Sequence, residues 1–170
     1  MENRLQRALV FTIALLLFPI SSTYGATNPY GSTTIDPAGP SEIILTVSSP
    51  VVVKKYRLAD LYLLAQSKMT INEPFVKKVQ TFSVIPLSTL FNQGRITSHE
   101  NVETKALNDY VYTNVAATFL AAKGYLAVKL NGKPIPYDQG GPIRIIYPNS
   151  SIWAKFLDPW NWSLSSISAK

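Results

Sequence analysis

Apolar positions fall in short runs whose spacing changes along the chain. Glu42 to Val47 (EIILTV) reads as a strand closed by Ser48-Ser49-Pro50, and the β-branched stretch Val51 to Tyr56 as a second extended segment. Residues 58, 61, 62 and 65 recur at helical spacing, which predicts a helix over Leu58 to Ala65. Asn72-Glu73-Pro74 breaks the pattern. Phe75 to Phe82 then alternates and runs on towards Val84-Ile85-Pro86. A short helix is predicted over Leu87 to Phe91, stopped by Gly94, and another over Ala116 to Ala122, ended by Gly124. Between them Asn101 to Leu107 reads as a strand running into Asn108-Asp109-Tyr110. Tyr125 to Leu130 alternates and meets Asn131-Gly132, a strong hairpin signal, with Lys133 to Pro136 as the return. Gly140-Gly141-Pro142 introduces a strand over Ile143 to Tyr147, and Trp160 to Ile167 alternates once more. Many short strands and few short helices, without a repeating βαβ period, predict one α+β domain of mixed strands.

Upstream of this body the pattern differs. Arg4 and Arg7 precede the uncharged run Ala8 to Ile20, and small and polar residues follow through Gly25. This is the layout of a cleaved signal peptide over residues 1–25, and the run is shorter than the roughly 20 residues of a spanning helix. It predicts a periplasmic mature protein that starts near Ala26. Residues 26–41, rich in Gly, Ser, Thr and Pro, read as a flexible leader, and residues 42–170 as the domain.

Composition narrows the chemistry. The sequence has no cysteine, so it offers neither disulfides nor thiolate ligands. Its net charge is +6, but the lysines and arginines are scattered and form no nucleic-acid motif. His99 is the only histidine and lies in a polar stretch; no second histidine completes a metal pair, and no serine sits in a nucleophile elbow. No catalytic residue and no metal ligand is assigned. Two polar clusters interrupt apolar strands. Asn108-Asp109-Tyr110 sets an amide, a carboxylate and a phenol at the end of one; Gly140-Gly141 precedes Arg144 just inside another. Each reads equally as a turn, since Asn, Asp and Gly are turn residues.

In chain order, several stretches resemble the sulfite-oxidase-like molybdopterin-binding domain family. They are Arg57-Leu58-Ala59-Asp60-Leu61, Ile85-Pro86-Leu87-Ser88-Thr89-Leu90, Ala106-Leu107-Asn108-Asp109-Tyr110, Asn131-Gly132-Lys133-Pro134-Ile135, Gly140-Gly141-Pro142-Ile143-Arg144 through Pro148, and Trp160-Asn161-Trp162 through Ile167. The resemblance implies a sulfite-oxidase-like fold over about residues 42–168. The family's enzymes hold molybdenum through a cysteine thiolate, which this chain lacks. It is more similar to small periplasmic members that bind a free pterin and report it to a membrane-bound GGDEF/EAL cyclic-di-GMP enzyme. On that reading Asn108, Asp109, Tyr110, Arg144, Trp153 and Trp160 bind the pterin. Asp109 accepts from the ring's 2-amino and N3–H donors, Arg144 donates to O4, and Trp153, Trp160 or Tyr110 covers a ring face. Trp162, alternating with Leu164, reads as core. Asp109 and Arg144 are expected to share one pocket at the ends of neighbouring strands. Two alternatives stay open: a molybdopterin-dependent oxidoreductase subunit with atypical metal ligation, and an interaction domain without a ligand.

Overall fold

The computed structural model describes residues 38–170, together with two short paired segments, β1 (Ala26–Thr27) and β2 (Thr34–Ile35). The predicted signal peptide lies outside the described residues. Among those residues no helix is long and apolar enough to cross a membrane. The domain is α+β, as its patterning predicts, with two sheets and three short helices.

One sheet has five strands: β3 (Ile43–Ser48), β4 (Val53–Arg57), β7 (Asn101–Ala106), β8 (Val111–Val115) and β11 (Leu164–Ala169). Their spatial order is β4-β3-β11-β7-β8, and β11 runs parallel to β3 but antiparallel to β7. Alternation decides which faces are buried: Leu45 and Val47 of β3, and Val102, Thr104 and Ala106 of β7, turn inward. The other sheet is antiparallel and four-stranded, ordered β10-β9-β6-β5, from β5 (Ser67–Glu73), β6 (Lys78–Pro86), β9 (Tyr125–Leu130) and β10 (Arg144–Ile146). Helices α1 (Leu58–Leu64), α2 (Leu87–Gln93) and α3 (Ala116–Ala121) bury Leu58 and Leu61, Leu87, Leu90 and Phe91, and Ala116 and Phe119 in the same core. At the start of α1 the Asp60 carboxylate accepts from the Arg57 N–H at 3.0 Å, which satisfies a backbone donor the helix cannot.

Several boundaries differ from the patterning. Strand β5 was not legible as one. Its inward row is Met69, Ile71 and Glu73, so a buried charge stands where the alternation calls for an apolar residue. Pro74 to Lys77 forms the β5–β6 turn rather than strand, with Lys77 at φ 54°. Strand β8 is an edge strand whose residues stay partly exposed, which erases its signal. The predicted return Lys133 to Pro136 reduces to one bridge, Leu130 to Lys133, because Pro134 and Pro136 have no N–H to extend a ladder. The predicted strand from Trp160 begins only at Leu164; Ser163, at φ 48°, breaks it. The Asn131-Gly132 hairpin forms as predicted, with both residues at positive φ.

Candidate functional site

A groove of about 300 Å³ opens where three irregular segments meet. The β5–β6 turn supplies Phe75, the β7–β8 turn supplies Asn108 and Tyr110, and the segment before β11 supplies Leu157, Asp158, Trp160 and Trp162. Four aromatic residues therefore line it, and its polar members are Asn108, Asp158 and the phenol of Tyr110. The rings are set by contacts behind them. Phe75 lies 4.9 Å from Trp162 between centroids and 6.3 Å from Trp160. Trp160 Nε1 donates to the Trp153 carbonyl at 2.9 Å, which fixes that indole. Tyr110 Oη donates to the Asp158 carbonyl at 3.0 Å and ties the β7–β8 turn to the opposite wall. Partial burial, followed by nearby Asp158 and Tyr112, raises the Tyr110 pKa above its ordinary 10.0, so the phenol is a donor at neutral pH.

Arg144 lies behind this wall. Its side chain is fully buried on β10, with Nη2 2.7 Å from Glu73 Oε1 and Nη1 donating to the Gln139 carbonyl at 3.0 Å. Its guanidinium carbon stands 4.4 Å from the Trp162 ring centroid and 5.6 Å from that of Phe75. The other Glu73 oxygen, Oε2, accepts from the N–H groups of Phe75 (2.8 Å) and Val76 (2.6 Å). A Cβ added to Gly140 would meet Trp162 Cγ and Cδ2 at 2.7 Å, so glycine there lets the chain pass against the indole.

The structure places the predicted site residues in three different settings. Asn108, Tyr110 and Trp160 line the groove together. Asp109 does not: at φ 65° its side chain turns to Lys105, 2.7 Å away, and stays 81% exposed. The expected shared pocket of Asp109 and Arg144 is thus not formed. Asp109 is a turn residue on the surface, while burial against Glu73 removes Arg144 from solvent. Trp153 is buried among Tyr147, Phe119 and Tyr112, with ring centroids at 5.3, 5.4 and 5.7 Å, and packs the core rather than covering the groove. Patterning assigned Trp162 to the core, yet it lines the groove, as do Phe75, Leu157 and Asp158. Leu157, Asp158 and Trp160 lie in a segment without regular secondary structure, so one wall of the site is built from loop and no strand or helix periodicity marks it.

A molybdenum-bearing cofactor does not fit this donor set. The sequence has no cysteine to supply a soft thiolate, and the described residues hold no cluster of three His, Asp or Glu side chains able to bind a metal. The groove's polar lining residues, Asn108, Tyr110 and Asp158, carry no positive charge for a cofactor phosphate, and Arg144 is paired with Glu73.

The sequence model of the oxidoreductase molybdopterin binding domain matches residues 63–162. That span runs from the end of α1 to Trp162 and includes every residue named in the groove. No curated protein matches the chain.

Proposed function

Because the chain belongs to the sulfite-oxidase-like molybdopterin-binding oxidoreductase domain family, we propose that its aromatic groove takes a free pterin as a ligand and performs no molybdenum turnover. The observation that carries this reading is the groove itself: rings of Phe75, Tyr110, Trp160 and Trp162 beside the carboxylate of Asp158. A pterin presents a flat π-face and an edge with adjacent 2-amino and N3–H donors next to the O4 acceptor. The aromatic walls suit the face. Asp158 accepts from the donor pair, and the Asn108 amide donates to O4. Asp158 thereby takes the role that the family resemblance implied for Asp109.

Leu107, Val111 and Phe156, next in sequence to residues that line the groove, are exposed apolar side chains that suit contact with a second protein. With the signal-peptide pattern of residues 1–25, this supports a periplasmic sensor that reports its ligand to a membrane-bound GGDEF/EAL cyclic-di-GMP enzyme. The competing reading, an oxidoreductase subunit that borrows metal ligands from a partner, draws on the family alone. About one molybdenum per chain in purified protein would favour it.

Titration calorimetry with pterin on wild type and Asp158→Asn tests the ligand. The substitution keeps the shape and turns an amide donor towards ring donors. A lost charge-assisted hydrogen bond at an exposed rim corresponds to about 1.4 kcal/mol, or roughly tenfold weaker binding. Unchanged affinity in a folded Asp158→Asn protein would remove Asp158 from the site, and no wild-type binding would remove the pterin.

A further inference from the structure

The ion pair behind the groove has a geometry that stability alone does not require. Glu73 is the last residue of β5, and its carboxylate is divided between two tasks. Oε1 meets Arg144, and Oε2 collects two consecutive amides of the turn that carries Phe75. Arg144 in turn stands against both rings that form that corner of the groove, Trp162 and Phe75. One buried guanidinium therefore backs two walls contributed by segments more than 80 residues apart, Phe75 from the β5–β6 turn and Trp162 from the approach to β11.

We infer that Glu73 and Arg144 are positioning residues of the ligand groove: Glu73 holds the Phe75 turn in place, and Arg144 docks the Phe75 and Trp162 rings against one another so that they stand ready as a stacking corner. Neither residue touches the ligand. The inference rests on the pterin reading for its ligand and on the geometry alone for its clamp. Its chemistry follows from the parts. A turn at a sheet edge has few packing contacts to fix it, and Phe75 remains partly exposed. Two charge-assisted hydrogen bonds from one carboxylate fix the backbone on either side of the Phe75 side chain. A guanidinium stacks flat on aromatic faces, so it orients the rings it meets, which a lysine ammonium would do poorly. A corner ordered before binding avoids the entropy of ordering it on binding.

The clamp is tested on the full chain with Glu73→Gln, read in two ways. In ligand-free protein, NMR follows hydrogen exchange of the Phe75 and Val76 amides and the nuclear Overhauser contact between the Phe75 and Trp162 rings. The expected result is faster exchange at those two amides and loss of the ring contact, while amides of the β6–β9 ladder stay protected. Binding is then measured with pterin (2-amino-4-oxopteridine), whose affinity is expected to fall about tenfold. A pair that only stabilises the fold would lower the unfolding midpoint and leave the ring contact and the affinity unchanged; that result overturns the inference. Removing one partner of a buried pair strands the other's charge. If Glu73→Gln does not fold, the double variant Glu73→Gln/Arg144→Met, which buries no charge, decides. Loss of the ring contact in it supports the clamp, and retention overturns it. Failure of the wild type to bind pterin would sink the ligand but not the clamp, which the exchange and ring-contact measurements decide without it.

Discussion

Replacing Gly140 by alanine probes the groove wall from behind, and Gly132 supplies an internal control. Both residues have positive φ, 83° and 78°, so both variants carry the cost of placing an L side chain in the left-handed region, about 1–2 kcal/mol. They differ in what the new methyl meets. At Gly132 nothing lies within 4 Å, whereas at Gly140 the added Cβ falls 2.7 Å from two indole atoms of Trp162 and 3.1 Å from Arg144 Cδ. The indole must shift, and overpacking of this kind costs about 1–3 kcal/mol. Gly140→Ala is therefore expected to destabilise by roughly 2–5 kcal/mol and Gly132→Ala by roughly 1–2 kcal/mol. Guanidinium unfolding monitored by circular dichroism measures both, with stability changes taken from midpoints at constant slope. Pterin affinity should fall in Gly140→Ala only, because the displaced ring lines the groove. Equal destabilisation in the two variants would mean that no close approach exists between residue 140 and Trp162, and the account of that wall would fail.

Two further outcomes follow from burial and exposure. Burial pushes the Tyr147 pKa well above 10.0, so the folded state keeps this proton while the unfolded chain loses it. Its contribution to stability is complete below pH 10 and declines as pH rises beyond it, with a slope of at most about 1.4 kcal/mol per pH unit. Tyr147→Phe should make the alkaline fall in unfolding free energy shallower, and an unchanged slope between pH 10 and pH 11.5 would contradict the assignment. Asp109→Asn removes an exposed ion pair to Lys105 and nothing in the groove, so both the unfolding midpoint and pterin affinity should match wild type within error.

What patterning revealed of this fold depended on whether a signal was local. The Asn131-Gly132 turn, the strands β3 and β7 and the short helices are written in neighbouring residues, and all are found in the structure. Strand β5 is not, because Glu73 interrupts its inward row and its reason for being buried, Arg144, lies 71 residues away. The site shows the same division. Asn108 and Tyr110 could be picked out because a polar cluster ended an apolar strand, but only backbone geometry decides that Asp109 between them turns outward. Arg144 stood out as a charge among apolar residues, yet that anomaly marks equally a ligand contact and a buried ion pair. Phe75, Asp158 and Trp162 meet only when the β5–β6 turn is folded against the approach to β11, and no local spacing records that meeting.

The place of β11 in the sheet has a bearing on how the molecule is made. Ser166 pairs with Thr46, 120 residues earlier, and the strand's other neighbour, β7, also precedes it. Until the C-terminal strand is in place, the β3–β4 and β7–β8 hairpins each wait with an open inner edge, and only Leu164–Ala169 can join them. Contacts this distant in sequence close slowly, and the open edges invite other chains meanwhile. Trp160 and Trp162 emerge just ahead of β11, so the groove and the sheet are completed together. Without residues 160–170 the five-stranded sheet is therefore two adhesive hairpins for a chaperone to hold, beside a four-stranded sheet whose strands are all present, rather than a weakened form of the finished protein.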